Sequence, residues 1–427
     1  MVDSQRWGPS LRATVAATHA GQPVREVVSA AQRAIEDQEP QLRAWEVLDA
    51  RAPARGDQLD EVGGEGALFG VPVGIKDIID VAGLPTRCGS PITSPEPVAE
   101  SAACVQRLEE LGAVVMGKTV TTEFAYFKPG PTQNPRAPGH TPGGSSSGSA
   151  AAVAAGTIPL ALGSQTAGSL VRPASYCGIA GMVLGHDTVD LTGVVGLSPA
   201  LDALGLLTRD VADLELAYRA LTGDDRASAQ AGEEVPLLLW PGGSFATLEP
   251  AMARVVEILG DLLADWDLQP FEGQDHIETL ATDQPILMGY EAARERQAEL
   301  RDHADQLSRP LFELLDQGSR ISDDDYWQAS FRRDRSRIDL APLLTGAVVL
   351  GPGALGPAPV GLDATGSPIL SRPWQALGFP TVAIPGLRDG QGLPLGLQAI
   401  GAPGTEPTLL AVAAAVEARL AVAEPVT

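Results

Sequence analysis

Residues 143–178 read GGSSSGSAAAVAAGTIPLALGSQTAGSLVRPASYCG, and the chain is most legible there. A glycine- and serine-rich turn runs into a short alanine-rich helix, AAAVAA, closed by Gly156. A strand-like IPLALG comes next, then a second glycine turn, SQTAGS. Two serine-bearing turns are therefore predicted around one helix and one strand.

Upstream, PGPTQNPRAPGHTPGGSSSGS (129–149) is too rich in conformationally constrained residues for helix or strand and reads as a loop. SAACVQRLEELGAVVMGKT reads as a helix stopped by Gly112 and followed by a buried strand, Ala113 to Met116. From Gly66, GALFGVPVGIKDIIDVAG is β-branched and punctuated by glycine, as strands and tight turns are. The first fifty residues place apolar positions at helical spacing, as in VREVVSAAQRAIEDQ, and suggest helices outside a core.

Downstream, Asp210 is placed to cap a helix, VADLELAYRAL, that ends at Gly223. Residues 224–340 read as a mainly polar, helical segment. GAVVLG, FPTVAIPG and LPLGLQAIG bring strands back, and PTLLAVAAAVEARL is a final helix. Strands on both sides of a helical insertion, with no repeat and no long linker, predict one domain over residues 1–427. Its fold class is α/β: a single α/β/α domain with a large mixed β-sheet flanked by helices.

With 427 residues and 44% hydrophobic content, the chain can build a large buried core. No window resembles a membrane span and MVDSQRWGPSLRA lacks a secretory apolar core, so a cytoplasmic protein without a membrane partner is expected. The formal charge of −24 opposes phosphate backbones, so no nucleic-acid partner is expected. Cys88, Cys104 and Cys177 show no metal-ligand spacing and read as ordinary thiols, so no metal site is expected.

Two motif matches fail on physical grounds. GAVVMGKT, Gly112 to Thr119, fits the phosphate-loop pattern, but an apolar strand occupies the space between the glycines where flexible backbone is required. GSSSG, Gly144 to Gly148, fits the nucleophile elbow with Ser146 at its centre, yet no strand precedes it. His19, His140, His186, His276 and His303 all read as satisfied or exposed rather than as a catalytic base.

A serine nucleophile without histidine can be activated by a neutral lysine whose pKa is lowered by burial. Only Lys76, Lys118 and Lys128 are lysines among 30 basic residues. Lys76 lies in the apolar run VPVGIKDIID, and arginine could not replace it as a base. Asp77 is expected on the opposite face of the strand.

Residues 143–178 resemble the signature of the amidase signature family, with its two catalytic serines 24 positions apart. GVPVGIKDIIDVAGLPTRCGS, LGAVVMGKTVTTEFAY, LSPALDALGLLTRDVADL, SRPWQALGFPTVAIPG and GLPLGLQAIG extend the likeness to most of the chain outside 224–340. The resemblance implies Ser169 as nucleophile, Ser145 as a bridging serine on a cis peptide, and Lys76 as base. It places the oxyanion hole at the backbone of Thr166, Ala167, Gly168 and Ser169. Arg172 and Asp202 are expected to support structure, as are Ser146, Ser147, Ser149 and Ser164.

This implies a hydrolase of C–N bonds in amides, through an acyl-enzyme and with no cofactor. The partner is a small-molecule amide or carbamate; a carbamate (urethane) hydrolase and an inactive amidase-like binding protein stay open as alternatives. A glutaminase component of a transamidosome is disfavoured by the acidic charge, and a homodimer stays open. Tyr126, Phe127, Gly143, Gly144, Trp327, Phe331 and Trp374 are the candidate substrate-binding residues. Three positions depart from the family: Gln165 replaces a common Asp, Ala167 a common glycine, and GMVLG at 181–185 the usual Gly-Leu-Lys-Pro-Thr run.

Overall fold

The computed structural model describes residues 8–227 and 234–426. Eleven strands form one sheet: β1 (Trp45–Leu48), β2 (Pro72–Lys76), β3 (Val114–Thr119), β4 (Leu160–Gln165), β5 (Ala180–Val183), β6 (Ala203–Thr208), β7 (Leu237–Leu239), β8 (Leu268–Pro270), β9 (Val348–Pro352), β10 (Thr381–Arg388) and β11 (Pro394–Ile400). Their order is β1-β3-β2-β4-β6-β5-β10-β11-β9-β7-β8. The sheet is mixed: β3, β2 and β4 are parallel neighbours, as are β9, β7 and β8, and the pairs between these groups are antiparallel. The expected single α/β domain with a large mixed sheet is what the chain forms.

Alternation along the strands divides the core into two layers. Val73 and Ile75 of β2, Leu160 and Leu162 of β4, and Leu204 and Leu206 of β6 face one apolar cluster. Val114 and Met116 of β3, Ala161 of β4 and Leu207 of β6 face the other. Burying each of these larger side chains stabilises by about 1.5–3 kcal/mol relative to exposure. On the second face lies the helix Ser147–Ala154, whose residues are all buried. Its alanines let it settle close to β4, and Gly148 goes further: a Cβ there would come within 2.2 Å of Ala44 O and 2.4 Å of Val120 N.

Most predicted elements are present, with informative differences. Asp210 Oδ1 accepts from Asp213 N at 2.8 Å and caps the helix Val211–Thr222, which Gly223 ends at φ +73°. The loop expected to run to residue 149 ends earlier, because Ser147, Gly148 and Ser149 already belong to the helix. The strand expected at Ala113 to Met116 runs on through Lys118 to Thr119, since its partners β1 and β2 continue alongside it. GMVLG supplies β5, wedged between β6 and β10, where Met182, Val183 and Leu184 are buried. An apolar run suits that place better than a cation would.

Candidate active site

β2 and β4 run side by side and parallel, with Ile75 opposite Leu162, so their C-terminal ends open at the same edge of the sheet. Such edges are where α/β folds bind ligands. Lys76 is the last residue of β2 and is fully buried. Its Nζ lies 2.6 Å from Ser145 Oγ and 2.8 Å from Ser164 Oγ. Burial drives its pKa from 10.5 down to about 7, against the weaker upward pull of Asp202 and Cys88. Asp77, the next residue, pairs instead with the buried Lys118, Oδ1 to Nζ at 2.9 Å.

Ser145 precedes the alanine-rich helix, and the Gly144–Ser145 peptide is cis. Gly143 takes φ +83° with Pro173 packed against it, and a Cβ on Gly144 would fall 2.8 Å from Thr365 Cγ2. Arg172 Nη2 donates to Gly144 O at 2.5 Å. The two glycines shape the chain around Ser145 and are not on the cavity wall.

After β4 the chain turns through Thr166–Ser169 into the helix Val171–Cys177. Gln165 Oε1 accepts from Leu170 N at 3.0 Å and Val171 N at 3.1 Å, while its Nε2 donates to Gln375 Oε1 at 2.9 Å. The amide thus caps that helix and ties it to a second glutamine, which a carboxylate could not do with an acceptor-only head. Thr166 Oγ1 donates to Asp202 Oδ1 at 2.5 Å, and Asp202 Oδ2 accepts from Leu197 N and Ser198 N at 2.7 and 2.9 Å. Ser146 N donates to Ser169 O at 3.1 Å, joining the two serine turns. Ser146 Oγ is engaged with the backbone of Ser164.

Ser145, Thr166, Ala167 and Ser169 line one narrow cavity together with Tyr126, Phe127 and Arg172. Gly168 abuts Pro368 of the same wall, where a Cβ would come within 2.8 Å. Phe124, Ala125 and Phe127 all have positive φ (44°, 60° and 39°), a conformation costly for side chains of this kind. A second cavity of about 260 Å³ shares Ala125, Thr166 and Leu197 with the first and reaches Ser164 and Asp202.

Three expected pocket aromatics lie elsewhere. Trp327 and Phe331 are 65% and 73% exposed on the helix Asp323–Leu344, and Trp374 is buried against Trp240 and Phe271. Met288, on the helix Gln274–Glu295, is what the helical segment contributes to the cavity lined by Ser145 and Ser169. Of Ser164 and Arg172, both read from sequence as structural, Ser164 Oγ accepts from Lys76 Nζ, and Arg172 lines the same cavity as Ser145 and Ser169. Among the described residues no helix is long and apolar enough to cross a membrane, and no group of three or more His, Cys, Asp or Glu could hold a metal ion.

The architecture is thus that of an α/β protein with a buried lysine and two serine turns gathered at the sheet edge. A family model described as Amidase matches residues 26–239. A glutamyl-tRNA(Gln) amidotransferase subunit from Anaeromyxobacter sp. (strain K) is 32% identical over 435 residues, 88% of this chain and 86% of that protein. The corresponding protein from Staphylococcus carnosus is 40% identical over 215 residues, 47% of this chain and 44% of that one. The chain thus spans about half the length of the staphylococcal relatives it matches. A crystal structure of an amidase superposes with a TM-score of 0.85 at 29% identity, covering 96% of this chain and 100% of that one. The chain belongs to the amidase signature family.

Proposed function

We propose that the protein hydrolyses the C–N bond of amides through an acyl-enzyme on Ser169. Ser169 Oγ attacks the carbonyl carbon as its proton passes to Ser145 Oγ and the Ser145 proton passes to neutral Lys76. Backbone N–H groups of the Thr166–Ser169 turn face the developing oxyanion. Collapse of the tetrahedral intermediate returns a proton through Ser145 to the departing amine. Water then enters by the same relay, releasing the carboxylic acid and free Ser169.

The observation that carries this reading is the 2.6 Å contact of Lys76 Nζ with Ser145 Oγ, made by a lysine whose pKa burial holds at about 7. A lysine in a salt bridge would be charged and useless as a base. The second cavity, walled by Leu191, Val194, Val195 and Leu204, suits an apolar portion of the substrate. The likeness to amidases supports the same chemistry.

The test is a hydrolysis panel of aryl amides, primary amides and aryl carbamates, run with the wild-type protein and with Ser169→Ala. Amine or ammonia release that Ser169→Ala abolishes is expected from the amides. Turnover confined to carbamates would move the reading to a urethane hydrolase. No turnover, or turnover that survives the alanine variant, would overturn it.

A further inference from the structure

Arg172 stands on the wall of the catalytic cavity, three residues after Ser169, and is 3% exposed. Its Nη2 is occupied by Gly144 O and by Thr365 Oγ1 at 3.3 Å, but Nε and Nη1 are buried without any hydrogen-bond partner. The Phe127 ring, 5.8 Å from the guanidinium carbon, supplies at most a weak cation–π attraction. One bond to a carbonyl does not call for a charged donor, and a charge buried without a counter-ion is destabilising.

The environment worsens the imbalance. Burial, with a smaller push from Arg372, lowers the Arg172 pKa to about 10, so it remains charged at neutral pH; Tyr176 alone acts the other way. Arg372 is likewise lowered by burial, is opposed only by Tyr126, and has a buried Nε without a partner. Two arginines therefore approach one another beside the cavity residues Tyr126 and Phe127, and among the described residues no carboxylate acts on either. Water could fill the free N–H directions, but it would leave both charges unneutralised.

We propose that Arg172, supported by Arg372, binds a carboxylate on the substrate, a few atoms from the scissile carbonyl, and so selects short anionic amides. The inference rests on the amide-hydrolase reading for its scissile bond, but not for its anion site. The carboxylate can lie on the acyl or on the amine side, and the two arms of the test separate these.

On the acyl side, glutaramate is compared with its methyl ester and with hexanamide. On the amine side, 4-acetamidobenzoate is compared with acetanilide. The wild-type protein is expected to favour the anionic member of one pair at least tenfold in kcat/KM. Arg172→Met is expected to reduce that preference tenfold or more even if both rates fall through loss of the Gly144 contact. Arg172→Lys should restore part of it, and Arg372→Gln should lower it several-fold. Glutarate binding is measured by calorimetry in parallel, so that the anion site is judged independently of turnover. Glutarate binding lost in Arg172→Met, with no amide hydrolysed, would support the anion site while sinking the amide-hydrolase reading. Equal use of neutral and anionic amides would overturn the proposal. So would glutarate that, in the absence of turnover, fails to bind or binds Arg172→Met equally well.

Discussion

Lys76 Nζ lies 2.6 Å from Ser145 Oγ at a position with no exposure to solvent, and its other close contact is the Ser164 hydroxyl at 2.8 Å. With burial holding the pKa at about 7, the amine changes charge near neutrality. Only the neutral form can take a proton, so kcat/KM is expected to rise tenfold per pH unit below about 7 and level off above it. Lys76→Ala and Lys76→Arg should both lose several orders of magnitude. An arginine variant keeping most of its activity would show that position 76 supplies charge, not basicity.

Ser164→Ala separates the second hydroxyl from the first. Ser164 Oγ stabilises the charged lysine as an acceptor, so its removal is expected to shift the midpoint of the pH–kcat/KM profile to lower pH. The plateau should fall roughly ten- to a hundredfold, the usual scale for a hydrogen bond to a charged group. A profile unmoved in midpoint would mean that Ser164 does not act on Lys76.

How far the sequence could reveal this site depends on the range of the signals. Gly156, Gly223 and the Asp210 cap are local signals, and each ends or starts an element where expected. β1, β7 and β8 have four, three and three residues, too few for periodicity to register; β1 and β7 lie along the longer β3 and β9, and β8 in turn pairs with β7 at the edge of the sheet. Ser164 is hidden for another reason. Its direction depends on β4 lying beside β2, and Gln165 next to it serves a helix cap instead. Trp327 and Phe331 stand out as aromatics, but nothing in their own segment says that the helix turns them outward. Arg172 reads as one basic residue in a family-like Arg-Pro-Ala; only its unpartnered nitrogens, a three-dimensional fact, set it apart.

Gly148→Ala tests the close approach that fixes Ser145. The added Cβ would meet the backbone at Ala44 O and Val120 N, neither of which is a side chain able to rotate away. A loss of about 1–3 kcal/mol or more is expected, as for other overpacked interiors. It would appear as a lower denaturation midpoint. A variant as stable as wild type would mean that the helix Ser147–Ala154 can lift from β3 without cost.

Lys118 is the lysine of the phosphate-loop look-alike, and its Nζ is held by Asp77, by Thr86 Oγ1 at 2.9 Å and by Pro85 O at 3.2 Å. No free ammonium remains for a nucleotide. ATP is expected not to bind by calorimetry, and Lys118→Met is expected to destabilise by about 3–5 kcal/mol because it strands Asp77 in the interior. Micromolar ATP binding that the variant abolishes would reinstate the loop reading.

Lys76→Met is expected to do the opposite of Lys118→Met. The unfolded chain has an ordinary lysine near 10.5, whereas the folded protein holds Lys76 near 7, so between these values the unfolded state binds the extra proton. Stability of the wild-type protein should therefore rise with pH across that window and lose this gain as pH falls toward 7. The shift corresponds to on the order of 4 kcal/mol at pH 7, at about 1.4 kcal/mol per unit, carried as a cost of keeping an ionisable amine in the interior. Methionine has a similar length and no charge, so it should recover part of that cost while leaving the Ser145 and Ser164 hydroxyls to bond elsewhere. Chemical denaturation at pH 7 is expected to show a variant more stable by a few kcal/mol and without hydrolytic activity, the advantage shrinking toward pH 10.5. A variant equally or less stable at pH 7 would mean that the site does not hold Lys76 neutral at the expense of stability, and the neutral-base mechanism would lose its energetic basis.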